Sequence, residues 1–137
     1  MAYYLVKSEP EAWSWEQHVA VGTAEWDGVR NAQACNNLKA MTVGDRAFFY
    51  HSGKERAVVG VLEVVREAYP DPTDSSGRAV MVDFKALHPL ARPVTLAEIK
   101  ADGRLDHIAL IRQSRLSVMP IDEEAWVVIA GMGGIEP

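Results

Sequence analysis

Between Trp26 and Leu38 the chain carries an indole, a guanidinium (Arg30) and the carboxamides of Asn31, Gln33, Asn36 and Asn37, with Gly28 marking a bend after the indole. Carboxamides donate and accept at once, so they suit the hydrogen-bonding edge of a neutral ligand. The indole offers a flat face on which a base or another planar ring can stack. Together these residue types describe a pocket for a planar, polar ligand. The same residues have ordinary structural uses too: a tryptophan after a turn can anchor a core, and Asn31 has the place of an N-cap for a segment running to Met41.

Lys7-Ser8-Glu9 ends a short apolar run just before Pro10, so a cation, a hydroxyl and a carboxylate stand where they either face a cleft or meet solvent at a strand exit. His51 beside Ser52, with Glu9 or Asp27, supplies the parts of a hydrolytic triad. Against that, no Gly-x-Ser-x-Gly elbow surrounds Ser8, Ser52 or Ser117, and neighbours in a strand point to opposite faces. The histidines His18, His51, His88 and His107 lack metal-ligand spacing, and Cys35 is the lone cysteine. The expectation is a chain with no metal, no cofactor and no internal disulfide.

These residues need a frame. A length of 137 residues suits one domain over 1–137, and no linker or repeat divides it. No apolar run is long enough to cross a bilayer, and no secretory leader pattern follows Met1, so a cytoplasmic protein is expected, with a monomer as the default state. Residues 1–60 hold 6 basic and 7 acidic side chains and residues 61–137 hold 8 and 12, so the net charge of −5 lies mainly in the second half. Such a balance does not suit a protein that grips long nucleic acid over its whole surface. A nucleic-acid role must rest on a local pocket and a few basic residues such as Lys7, Arg30, Lys39 and Arg115.

Ala2–Val6 reads as a first strand. Ser14-Trp15-Glu16-Gln17 has the form of a capping box and predicts a short helix ending before Gly22. Ala34, Leu38 and Met41 give the segment Arg30–Met41 a helical apolar face. The aromatic run Arg46–Ser52 predicts a strand, with Phe48, Tyr50 and Ser52 on one face and Ala47, Phe49 and His51 on the other. Ala57–Val65 is nearly all apolar and suits a central strand, in which Gly60 permits a bulge or the close approach of another backbone. Ala79–Leu87 alternates as a strand with one wet face. Thr95–Glu98 is a second capping box, Ser114–Pro120 reads as extended, and Asp122 is placed to cap a last helix containing Trp126. The result is an α+β pattern of about five or six strands with short surrounding helices, curling into a small barrel.

Five stretches together, in this order, resemble the EVE domain family: Lys7-Ser8-Glu9-Pro10; Trp26 to Asn31 with Gln33 and Asn36-Asn37-Leu38; Phe49-Tyr50-His51-Ser52; Glu67 to Asp71; and Ser114 to Pro120. The resemblance spans about Tyr3 to Ala130 and implies a PUA-like curled barrel. It also implies a non-catalytic reader of modified bases in DNA or RNA, methylated or hydroxymethylated cytosine above all, held in an aromatic pocket. Carried over by position, Trp26 is a wall of that pocket, Lys7 and Ser8 its rim, and Asn31 and Asn37 its floor, with Arg30 beside them. Tyr50, His51 and Ser52 form the opposite side, and Arg115, Leu116 and Ser117 close it. Where relatives often carry Tyr and Arg this chain has Ala32 and Cys35, which removes a positive charge near the helix. On this reading Trp26→Ala abolishes binding and leaves the fold largely intact. The competing readings are a small-molecule or protein-interaction module, and a hydrolase built on His51.

Overall fold

The structure, a computed structural model, describes all 137 residues. Six strands, β1 (Tyr3–Ser8), β2 (Thr23–Glu25), β3 (Arg46–His51), β4 (Ala57–Pro70), β5 (Val80–Thr95) and β6 (Val118–Ile121), form one sheet in the order β2-β5-β4-β3-β1-β6. The β1–β3 pair is parallel and every other pair is antiparallel. The fold is α+β and PUA-like, with the sheet curled rather than closed, since the terminal strands β2 and β6 do not pair. Register shifts along β4 and β5 accompany the curl; where two residues oppose one, a strand bends and its twist increases.

Helices fill the connections: α1 (Trp15–Val21), α2 (Ala32–Ala40), α3 (Leu96–Ala101), α4 (Ala109–Arg112) and α5 (Glu123–Met132). Both capping boxes form, Ser14 with Gln17 and Thr95 with Glu98, each satisfying two amides that a helix start leaves orphaned. The Asn31 and Asp122 side chains cap α2 and α5, accepting from the amides of Ala34 and Ala125.

Ala47–His51 is buried on both faces of the sheet. On one face Phe48 stacks on Trp126 of α5, ring centroids 3.7 Å apart. On the other, Phe49 meets Trp15 and Trp26 edge-on at 5.6 and 5.4 Å. Gly60 is explained by this second layer. A Cβ there would lie 2.5 Å from the Trp15 ring, so the close approach is by an indole and not by backbone, while the adjoining register skips Val59.

Candidate ligand-binding cleft

A cleft of about 550 Å³ opens where β1 ends. Lys7 and Ser8 reach it from that strand end, Trp13 from the turn before α1, Glu25 from β2, the segment Trp26–Arg30 from the loop before α2, and Ser117 from the segment entering β6. Backbone pairing sets the last contact, since the Lys7 amide donates to the Ser117 carbonyl at 2.9 Å.

Two indoles flank a buried histidine. Trp13 is half-buried, and its Nε1–H donates to His18 Nδ1 at 3.0 Å. The other His18 nitrogen lies 2.8 Å from the Phe84 carbonyl, which can only accept, so the proton sits on Nε2 and the ring is neutral. Burial pushes the His18 imidazole below its ordinary value, in keeping with that state. Trp26 lies 6.1 Å beyond His18 and packs edge-on against Phe49 and Phe84, at 5.4 and 5.6 Å. It keeps only 7% of its surface exposed. Trp26 is therefore a core residue that shows an edge to the cleft, and the more accessible indole is Trp13.

The loop after Trp26 is held from a distance. Gly28 has φ of 79°, which a side chain would strain, and its amide donates to Asp71 Oδ2 at 2.9 Å. The same oxygen takes Arg30 Nη1 at 3.2 Å, while Arg30 Nη2 donates to the Thr73 hydroxyl at 2.8 Å. Thr73 in turn donates to Asp71 from both amide and hydroxyl, at 2.8 and 2.6 Å. Burial alone would raise the Asp71 carboxyl, but the Thr73, Gly28 and Arg30 donors together hold it down at about 2. Lys7 is half-buried and its pKa is lowered by burial; its Nζ donates to the Ser114 carbonyl at 2.8 Å. The Ser8 hydroxyl donates to the Trp13 carbonyl at 2.6 Å.

Of the residues singled out from sequence, the structure brings Lys7, Ser8, Trp26, Arg30 and Ser117 together in the cleft. The rest lie elsewhere. Asn31 spends its carbonyl on the Ala34 amide, and Asn37 donates to the Val118 carbonyl at 2.7 Å, tying α2 to β6 and not flooring a pocket. Tyr50 is buried, 5.9 Å from the Lys7 ammonium. His51 is buried, accepts the Trp15 amide on Nε2 at 3.0 Å and pairs Nδ1 with the Glu55 carboxylate, so its hydrogen bonds go to none of Ser52, Glu9 and Asp27 and its Nε2 is not open to a nucleophile. Ser52 donates its amide to the Ser8 carbonyl, Leu116 is core, and Arg115 is exposed in a neighbouring groove. Sequence reasoning missed Trp13, Glu25 and Asp27 as lining residues. The signal for Trp13 lay in its position, an indole directly between the Pro10 turn and the Ser14 cap. No group of three or more His, Cys, Asp or Glu side chains is placed to hold a metal ion. No helix is long and apolar enough to cross a membrane.

A curled, mixed sheet with a polar, indole-lined cleft at one strand end defines the class as a PUA-like α+β domain. The chain belongs to the EVE domain family, which matches residues 2–132. It is 33% identical to human thymocyte nuclear protein 1, over 99% of this chain and 76% of that protein. A Rhodopseudomonas palustris protein solved by NMR is 54% identical, with a TM-score of 0.92 over 98% of this chain and 94% of that one. The crystal structure of human THYN1 in complex with 5-methylcytosine-containing DNA superposes with a TM-score of 0.94 at 34% identity, covering 100% of both chains.

Proposed function

We propose that the chain is a non-catalytic module that binds nucleic acid carrying a modified base, of the 5-methylcytosine type, by taking the flipped base into the Trp13–Trp26 cleft. The observation that carries this reading is the cleft itself, matched to a family in which the human THYN1 protein is seen with 5-methylcytosine-containing DNA. A volume of about 550 Å³ lies within the roughly 300–1,000 Å³ of small-ligand sites. Stacking on an indole returns about 1–3 kcal/mol per base, comparable to the few kcal/mol that extrusion costs. Lys7, Arg30 and Ser117 supply donors at the base edge and the adjoining backbone, and the Ser8 hydroxyl, its proton held by the Trp13 carbonyl, supplies an acceptor. Absence of catalysis is supported by the commitments in the site: the Ser8 proton goes to the Trp13 carbonyl, and His51 has both ring nitrogens engaged away from the cleft. The module is expected to act as a monomer in the cytoplasm.

The acid excess of the chain, with Glu25 and Asp27 at the cleft, favours a small-molecule ligand as the second reading. One titration separates them. Short oligonucleotides bearing one cytosine, 5-methylcytosine or 5-hydroxymethylcytosine are added at low salt while tryptophan emission is followed. Saturable quenching that prefers a modified base, and is lost in Trp13→Ala with the circular dichroism unchanged, is the expected result. A folded protein that ignores every oligonucleotide overturns the proposal, and a response to free nucleosides alone moves the reading to the small-molecule module.

A further inference from the structure

Beside the cleft lies a shallower groove of about 320 Å³, whose polar walls are Asn31, Gln33, Arg112, Gln113, Ser114 and Arg115. No carboxylate lines it. Four other clefts and grooves of this chain of net charge −5 each include an acidic side chain: Glu25 and Asp27 in the cleft, and Asp45, Asp74 or Glu55 in the others. Arg112 and Arg115 form no ion pair. Arg112 is aimed by its own backbone neighbourhood, its Nε donating to the Asp106 carbonyl at 2.7 Å, which leaves both terminal nitrogens exposed and unspent.

The groove is continuous with the cleft. Asn31 follows Arg30 of the cleft wall, and the Ser114 carbonyl of the groove accepts from Lys7 of the cleft rim. A second flanking groove of about 620 Å³ carries Arg30, Lys39 and Arg78, but Asp74 stands among them and Arg30 is already held by Asp71. Unpaired guanidinium groups beside carboxamides and a hydroxyl, with no acid to compete, are the donor set that contacts to phosphate and sugar use.

We propose that the Arg112–Arg115 groove is the phosphate track of the site: it grips the sugar-phosphate backbone next to the flipped base, with Arg112 and Arg115 on phosphates and Asn31, Gln33 and Gln113 on the sugar edge. This rests on the base-binding reading of the cleft. It divides the work, since the cleft recognises the base and the groove supplies strand affinity that carries no sequence information.

The test is the salt dependence of binding to a 5-methylcytosine oligonucleotide, for wild type and for the double variant Arg112→Gln, Arg115→Gln. Each phosphate contact contributes about 0.7–0.9 to the slope of log K against log salt, so losing two should make the drop in affinity between 50 and 200 mM salt smaller by roughly 10-fold. Wild type titrated with an oligonucleotide whose phosphates flanking the modified base are methylphosphonates should show the same reduction, and the variant should lose nothing more on that oligonucleotide. Arg92→Gln with Lys100→Gln, away from the groove, should leave the slope unchanged. A double variant that is folded by thermal midpoint and keeps the wild-type slope overturns the assignment, as does an additive effect of variant and methylphosphonate. Failure of wild type to bind any oligonucleotide is a different result, which removes the base-binding reading and this track with it.

Discussion

Trp26→Ala tests whether the indole behind the cleft is wall or core. The side chain is 7% exposed and lies edge-on to both Phe49 and Phe84. Truncation leaves a hole bounded by two rings that are themselves pinned, Phe49 in a strand buried on both faces and Phe84 in the long β5, so little collapse is available. Burial of this kind places the cost in the range of about 3–5 kcal/mol for aromatic-to-Ala changes. With a urea slope of roughly 2 kcal/mol per molar for a domain of this size, the unfolding midpoint should drop by about 2 M. The assay is urea unfolding followed by far-ultraviolet circular dichroism, because the emission signal changes with the mutation itself. A midpoint loss below about 0.5 M, with ligand binding abolished, would refute the packing argument and restore Trp26 as a surface platform. The sequence-based expectation of an intact fold in Trp26→Ala is thus revised, and Trp13 becomes the better position for separating binding from folding.

The remaining predictions concern the supports of the cleft. Asp71 has a folded-state pKa of about 2 against an ordinary 3.8, so its stabilising effect is complete above about pH 5 and is lost as the pH falls through 3.8 towards 2. Asp71→Asn should cost about 2 kcal/mol at neutral pH, and its urea midpoint should converge on that of wild type near pH 2; a gap that persists there contradicts the ionic account. Gly60→Ala puts a methyl 2.5 Å from the Trp15 ring in a packed layer, so thermal unfolding should show a loss of roughly 1–3 kcal/mol or more, and a neutral effect would mean that the ring moves freely.

Local chemistry was legible where partners are near in sequence. Ser14 and Gln17, or Thr95 and Glu98, are three residues apart and their reciprocal bonds form as the pattern predicts. The curled α+β sheet and the EVE family were readable because strand periodicity and motif order survive in one dimension. The site was harder, since its decisive contacts span long separations. Asn37 has the chemistry of a ligand donor, but it meets the Val118 carbonyl 81 residues on. Asp71 belongs to a turn by local rules, yet it fastens Gly28 and Arg30 across the sheet. His51 was placed in a pocket wall by the resemblance, and nothing nearby in sequence announces the Trp15 amide that it accepts. Trp13 and Trp26 have the same side chain, and only packing against Phe49 and Phe84 decides which of them is submerged.

The parallel pairing of β1 with β3 has a practical consequence. Ser8 lies beside His51 at one end of the pair and Tyr3 beside Arg46 at the other. The first is the working end, next to the cleft. The second is a holding end, where the buried Asp45 carboxylate takes the amides of Ala2 and Thr42. The six-residue strand puts about 17 Å between them. A fluorophore, surface linker or fused partner attached ahead of Ala2 therefore stands at the far end of β1 from the cleft, while an insertion at Gly53 adjoins Ser52, whose amide donates to the carbonyl of the cleft residue Ser8. Tethering and labelling should be planned from the amino end of β1 and not at the Val43–Gly44 turn, whose amides donate to Glu67 and to the Val64 carbonyl.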